Sequence, residues 1–299
     1  QDDSAKYTDM PHSAQEAGVV DFVLSPVAIA KQLAEPRRHP AASSIASARP
    51  VEKQAPGLHA ILMHMHRRSG VDFTQYKRAT IARRILRRML MHRFRDFDAY
   101  ARRLETDQQE TELLFEDLLI NVTSFFREPK FFRSLTQHIL PELMAGRDKE
   151  NPLRIWVAGC STGEEAFSIA ITLLEHFPAG LGPVQIFATD LDMKALEKAR
   201  TGIYGKVALE SVGAAVLHKY FTKLEGKYQV VKAVRDMCVF AHHDLLKDPP
   251  FSRIDLLSCQ NVLIYLNNIA QPPVLRTFHY ALRSGGTLAL GRSDRKSDV

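Results

Sequence analysis

After Pro152 the chain repeats one pattern: a short apolar run rich in β-branched or aromatic residues, a polar turn, then a stretch with helical spacing. The runs are "LRIWVAG", "VQIFATD", "MCVFAHHD", "IDLLSCQN" and "GTLALG", and helical stretches such as "MKALEKAR" separate them. Parallel neighbours need a long crossover, usually a helix, so the alternation predicts an α/β fold with a mostly parallel sheet flanked by helices. Between the second and third runs, residues 201–235 contain "KYQVVKAV", a candidate small β insertion.

Upstream the texture differs. From Leu58 to about Leu140 the pattern is helical, with Ile81, Ile85 and Met89 recurring every four residues and no strand in evidence. Before it, "EPRRHPAASSIASARPVEKQAP" has no periodicity and reads as a flexible linker. Residues 1–35 end in a strand-like run and a short helix from Pro26, too little chain to bury a core alone. The expected organisation is therefore a terminal fragment over 1–35, a linker over 36–56, a helical domain over 57–140 and an α/β domain over 141–299. No apolar stretch approaches the ~20 residues that span a bilayer, and the N-terminus has no signal-peptide pattern, so a cytoplasmic protein without direct membrane insertion is expected. Cys160, Cys238 and Cys259 form no C-x-x-C pair, and His64, His66, His242 and His243 lack further ligands, so no metal is assigned.

In an open α/β sheet, ligands sit beyond the carboxyl ends of the strands. The first run ends in Gly159 to Gly163 and Glu165, the second in Asp190, the third in Asp244, the fourth in Gln260 and Asn261. A glycine loop entering a helix ordinarily presents N–H groups to an anion, but Glu164 and Glu165 at that helix start repel a phosphate. An acid at the end of the second strand, like Asp190, is placed to accept hydrogen bonds from both hydroxyls of a ribose. "GCSTG" also departs from the G-x-G-x-x-G spacing of dinucleotide sites. S-adenosylmethionine suits these features, having an adenosine, positive charge and no phosphate. A plainer reading, that the two acids only stabilise a helix N-terminus, stands beside it.

"LLINVTSFFREPKFF", "AGCSTGEEAFSIAITL", "ATDLDMKALEKARTGIY" and "CQNVLIYL" follow one another across about Leu58 to Arg292. In order and interval they closely resemble the CheR-type chemotaxis-receptor glutamate methyltransferases. The resemblance implies an all-helical N-terminal domain followed by a Rossmann-like class I methyltransferase domain with a small β insertion. It also implies S-adenosylmethionine as donor, S-adenosylhomocysteine as product, and receptor glutamates as acceptor. Carried over by motif, the donor site comprises Asn121, Thr123, Arg127, Gly159, Gly163, Glu165, Asp190, Asp244, Leu245, Gln260 and Asn261. Tyr265 matches a tyrosine near the reacting methyl, and Arg127 is a candidate to orient donor or acceptor. One position departs, since the family's C-R-N is C-Q-N here, and Gln260 lacks the charge and fork of an arginine. "GRSD" replaces the family's G-x-S-E, and the chain stops where such folds add a final antiparallel pair, which reads as truncation with an exposed sheet edge. Residues 1–35, chiefly "MPHSAQEAGVVDFVLSP", resemble the last segment of the CheB-type receptor methylesterase domain, an arrangement known from fused proteins. Without the upstream part no esterase activity is expected.

The net charge of +6 is concentrated, because Lys77 to Arg95 holds eight Lys and Arg residues and no acid. Helical spacing sets Arg84, Arg88 and Arg95 along one side with Arg83 and Arg87 nearby, and Arg83, Arg84, Arg87 and Arg88 are the expected contacts for an acidic receptor helical bundle. The same charge suits nucleic acid, and "DPPF" at Asp248 to Phe251 resembles a motif of adenine and cytosine amino-methyltransferases. There that motif follows the fourth strand, whereas here it precedes the fourth run, so a Pro-rich turn is expected. The remaining alternative is a non-catalytic receptor-binding or donor-sensing module.

Overall fold

The computed structural model describes residues 23–31, 56–145, 151–177 and 182–291. They belong to two compact units divided between Leu118 and Leu119. The first contains helices α1 (Pro56–Ser69), α2 (Arg78–Met91), α3 (Phe97–Thr106) and α4 (Gln108–Leu118). Their apolar residues recur at three and four, so each helix has one face to bury. Leu58, Ile61 and Met65 of α1, Ile81, Ile85 and Met89 of α2, Tyr100 and Leu104 of α3, and Leu114 and Leu118 of α4 are all buried. Asp96 starts α3 by accepting from Ala99 N at 2.7 Å, satisfying one of the unpaired donors of that first turn. A short helix over 26–31 begins at Pro26, with Ser25 Oγ accepting from Ala28 N. Of the strand expected before it only residues 23–25 are described, and these form no strand, while the linker up to residue 55 lies outside the described residues.

The second unit begins earlier than the expected boundary near residue 140. Phe125, Leu135, Leu140 and Leu143 are at most 4% exposed and share a core with Leu153, Ile155 and Val157. Residues 119–145, including α5 (Pro129–Ser134) and α6 (Leu140–Met144), thus belong with the sheet. Helical periodicity marks a buried face but not the core it joins, which is why the two helical stretches read as one.

The strands of this unit are β1 (Leu153–Ala158), β2 (Val184–Asp190), β3 (Ile203–Gly205), β4 (Phe221–Leu224), β5 (Lys227–Val230), β6 (Cys238–His242), β7 (Ile254–Cys259) and β8 (Leu282–Leu290). Five of them form a parallel sheet in the order β6-β2-β1-β7-β8. β7 is buried along its whole length and β1 nearly so, as expected of parallel strands covered on both faces. The helices are α7 (Glu164–His176) after β1, α8 (Met193–Thr201) after β2, α9 (Ala214–Tyr220), α10 (Lys232–Arg235) and α11 (Gln271–Ala281). β3, β5 and β4 make a separate antiparallel sheet inserted between β2 and β6. Phe125 packs edge-on against Tyr204 of β3 and Phe221 of β4, so the insertion shares the core. The path runs from β1 through β2 to β6, then returns to β7 on the other side of β1. That reversal opens a crevice at the carboxyl ends of β1 and β7. The truncation expected after "GRSD" falls beyond the last described residue.

Candidate functional site

The loop from β1 to α7 is shaped by close approach. Gly159 and Gly163 have φ of 78° and 94°, and a Cβ on Gly159 would lie 2.3 Å from Val262 Cγ2, one on Gly163 2.9 Å from Ala199 Cβ. Gly159 N and Cys160 N both donate to Thr189 O, at 2.8 and 2.9 Å, pinning the loop to the end of β2. Ser161, a non-glycine residue at φ 49°, is held by its N–H on Asp190 Oδ2 (2.7 Å) and its hydroxyl on Asn121 Oδ1 (3.1 Å). Asn261, after β7, is also left-handed at φ 59°. Backbone conformations of this kind cluster where a ligand is gripped.

Asp190 lies at the centre. Its Oδ2 accepts from Ser161 N and its Oδ1 from Asp192 N at 3.0 Å, which leaves acceptor capacity on a group with about four lone-pair sites. Burial pushes its carboxyl up, against the opposing pull of those backbone N–H groups. Among the described residues no salt bridge reaches it. Asp192 caps α8 through Lys194 N (2.8 Å) and Ala195 N (3.1 Å), and its other oxygen accepts from Asn121 Nδ2. Asn121 therefore ties its segment to both the glycine loop and the start of α8. Thr123 lies half-buried in that segment, while Arg127 is exposed and donates to Val122 O at 2.6 Å.

Across the crevice, Glu165 Oε1 accepts from Ser258 Oγ at 2.7 Å. Gln260 Nε2 donates to Ser258 Oγ and to Ala289 O, each at 3.3 Å. Glu164 is buried, accepts from Thr162 Oγ1 at 2.6 Å, and is pushed up by desolvation. At the end of β6, His243 N donates to Asp190 O (3.1 Å), which brings the next turn against β2. In that turn Asp244 Oδ1 accepts from Leu246 N at 2.9 Å and Asp244 N donates to Asp248 Oδ2 at 2.7 Å, with Leu245 between them. Tyr265 is half-buried in a short 3₁₀ turn, Leu263–Tyr265, after β7. Gly159, Gly163, Glu165, Asp190, Asp244, Leu245, Gln260 and Asn261 thus stand at or just after the carboxyl ends of β1, β2, β6 and β7, the end of such a sheet at which ligands bind. The donors there are neutral and the charges acidic. That chemistry fits S-adenosylmethionine, whose hydroxyls and positive charge meet acceptors, and it disfavours a phosphate.

Three participants escaped the sequence reading: Ser161, Asp192 and Ser258. Asp192 carried a signal, an Asp directly before the helical run "MKALEKAR", and Ser258 is a hydroxyl in the apolar run "IDLLSC". "DPPF" is used in packing, with Phe251 stacked on Phe187 at 4.7 Å and Pro249 O accepting from His243 Nε2 at 3.0 Å.

In the first unit the basic helix needs a correction. Arg88 is 7% exposed, and its Nε and Nη2 meet Glu110 Oε1 and Oε2 at 2.9 and 2.5 Å. Asp117 Oδ2 lies 3.4 Å from its Nη1, Tyr100 OH donates to Glu110 Oε1 at 2.5 Å, and His92 Nε2 sits 2.8 Å from Glu110 Oε2. Arg88 therefore cannot meet a substrate. Arg84 is half-buried and donates to Asp117 O at 2.5 Å. Arg83 and Arg87 are exposed, as are Lys77, Arg78, Arg93 and Arg95.

Comparison with known proteins identifies the family. Residues 121–298 match the family described as "CheR methyltransferase, SAM binding domain", and residues 56–119 match "CheR methyltransferase, all-alpha domain". The chain is 41% identical over 226 residues to an uncharacterized 104.1 kDa protein of Rhodobacter capsulatus, covering 75% of this chain but 24% of that protein. It is 30% identical over 243 residues to chemotaxis protein methyltransferase 2 of Vibrio cholerae, covering 79% and 84% of the two chains. Against the chemotaxis protein methyltransferase of Escherichia coli the identity is 33% over 246 residues, covering 79% and 82%.

Proposed function

Because the chain belongs to the CheR methyltransferase family, we propose that it transfers methyl groups from S-adenosylmethionine to glutamate side chains of chemoreceptors in the cytoplasm, forming methyl esters. The observation that carries the donor reading is the crevice around Asp190, acidic and lined by neutral hydrogen-bond donors. Asp190 binds the ribose hydroxyls through its remaining acceptor sites. Glu165 faces positive charge, and Asn121, Thr123, Asp244, Leu245, Gln260 and Asn261 complete the walls.

When bound, S-adenosylmethionine supplies an electrophilic methyl on a sulfonium. The accepting carboxylate is already ionised at neutral pH, given an ordinary Glu value near ~4.3, so the chain needs no strong base. Its task is alignment of the acceptor oxygen behind the methyl and exclusion of water, an effect worth up to roughly 7–11 kcal/mol in favourable cases. Tyr265, in the turn after β7, and Arg127 are the residues assigned to that positioning. Arg83 and Arg87, with Lys77, Arg78, Arg93 and Arg95, present the positive surface for an acidic receptor helical bundle. Residues 1–35 are assigned as a methylesterase-domain remnant without activity of its own, on the strength of their sequence resemblance.

The test is transfer of labelled methyl from S-adenosylmethionine to a receptor cytoplasmic fragment and, separately, to DNA. Label on the receptor that mild base releases as methanol is the expected result. Label on DNA, or donor binding without any transfer, would contradict the proposal.

A further inference from the structure

Ser258 is 0% exposed in the interior strand β7. Its register sets it beside Val157 of β1 and Ala289 of β8, at the reversal in strand order. A hydroxyl there must find partners, since an unpaired buried one is costly. Its partners are the side chains of Gln260 and Glu165. Gln260 Nε2 lies 3.3 Å from Ala289 O, which can only accept, so this end of the side chain is the NH₂ group. The same NH₂ donates to Ser258 Oγ at 3.3 Å. Ser258 Oγ thus serves as acceptor on one side, and its single hydrogen is directed at Glu165 Oε1, 2.7 Å away. The polarity of the chain is fixed from Gln260 through Ser258 to Glu165.

We propose that Ser258 is a positioning residue for the methyl donor, holding the Glu165 carboxylate in one orientation across the crevice under the control of Gln260. The inference rests on Glu165 belonging to the donor site. Glutamate has several freely rotating bonds, and fixing them before binding removes an entropy cost that a ligand otherwise bears. Ser258 and Gln260 are both neutral, so the hydrogen bonds they make orient the carboxylate without adding a charge of their own.

The experiment measures S-adenosylmethionine binding by calorimetry, donor KM and kcat, and thermal stability, for Ser258→Ala and Ser258→Thr, each with Glu165 intact and as Glu165→Gln. Ser258→Ala is expected to weaken donor binding about tenfold, roughly 1.4 kcal/mol. Donor KM should rise by a similar factor, with kcat within about twofold of the parent. Ser258→Thr, which keeps the hydroxyl, should recover most of the affinity. In the Glu165→Gln background the Ser258→Ala step should add less than about twofold, because the two side chains act as one unit. An equal loss in both backgrounds, or wild-type affinity in Ser258→Ala, would overturn the proposal. Should Ser258→Ala fail to fold, Gln260→Leu breaks the chain from its other end and must weaken donor binding in the same Glu165-dependent way; unchanged affinity there overturns it equally. Wild-type protein that binds the donor but labels no receptor would refute the proposed acceptor and leave this relay standing.

Discussion

Each of the two units draws a carboxylate away from water, Glu110 buried and Asp190 half-buried, and the two are treated in opposite ways. In the helical unit, desolvation pushes Glu110 up, but hydrogen bonds from Arg88 and Tyr100 and the charges of Arg88 and His92 outweigh it, so its carboxyl ends below the ordinary range. In the α/β unit, desolvation of Asp190 is opposed mainly by backbone N–H groups and wins, so its carboxyl is held above the ordinary range. A carboxylate neutralised by a bidentate arginine is finished as a structural element. One held in place by N–H groups alone is rigid yet still short of positive charge, which is the condition of a binding group.

The contrast is broken most directly by removing each acid. Glu110→Ala leaves the buried Arg88 guanidinium without its bidentate partner and with only the longer Asp117 contact, and the helical unit should lose about 3–5 kcal/mol of stability. Thermal melting checks this, and donor affinity measured well below the melting temperature should stay near wild type. Asp190→Ala should do the reverse. Donor affinity should fall about ten- to more than a hundredfold, since each lost hydrogen bond to a charged group is worth roughly 1.5–3 kcal/mol. Stability should move by less than about 2 kcal/mol, because deleting a desolvated charge offsets the Ser161 and Asp192 N–H groups left behind.

Acid titration sharpens the same comparison. Glu110 has a depressed folded value, so its contribution is present above the ordinary Glu value of about 4.3 and is lost as pH falls through the lower folded value. Asp190 has a raised folded value. Its charged form destabilises the fold once pH rises past the ordinary Asp value of about 3.9 toward that higher folded value, and the penalty is relieved on acidification. Comparing the pH dependence of stability in Glu110→Gln and Asp190→Asn with wild type should therefore give slope changes of opposite sign. Slope changes of the same sign would erase the distinction.

The smallest effects belong to the exposed arginines. Arg83→Ala and Arg87→Ala should change stability by no more than about 0.5 kcal/mol, in contrast to Arg88 one residue further along. Donor binding should be intact, while receptor methylation slows, most of all at low salt, where unscreened attraction contributes most. A defect that is independent of salt would remove the helix from the receptor surface.

Much of this was legible before the structure because it is written in local patterns. Parallel buried strands produce unbroken apolar runs, and the places of Asp190 and Gln260 after those runs, and of Glu165 at the helix that follows the first, could be read from them. The rest depends on contacts across long stretches of chain. Arg88 reads as one more surface arginine until Glu110, 22 residues on, is folded against it. Ser258 reads as a break in an apolar strand until Glu165, 93 residues earlier, meets its hydroxyl. The boundary near residue 119 was hidden because helices of both units carry the same spacing, and only packing tells that Phe125 and Leu135 join the sheet.

The central claim is that the acid without a cation holds the donor and the acid with one holds the fold. Calorimetric titration of S-adenosylmethionine into folded Asp190→Ala and folded Glu110→Gln, beside the wild type, tests it in one experiment. The account predicts affinity lowered at least tenfold in the first, about 1.4 kcal/mol or more, and wild-type affinity in the second. Wild-type affinity in Asp190→Ala would contradict it.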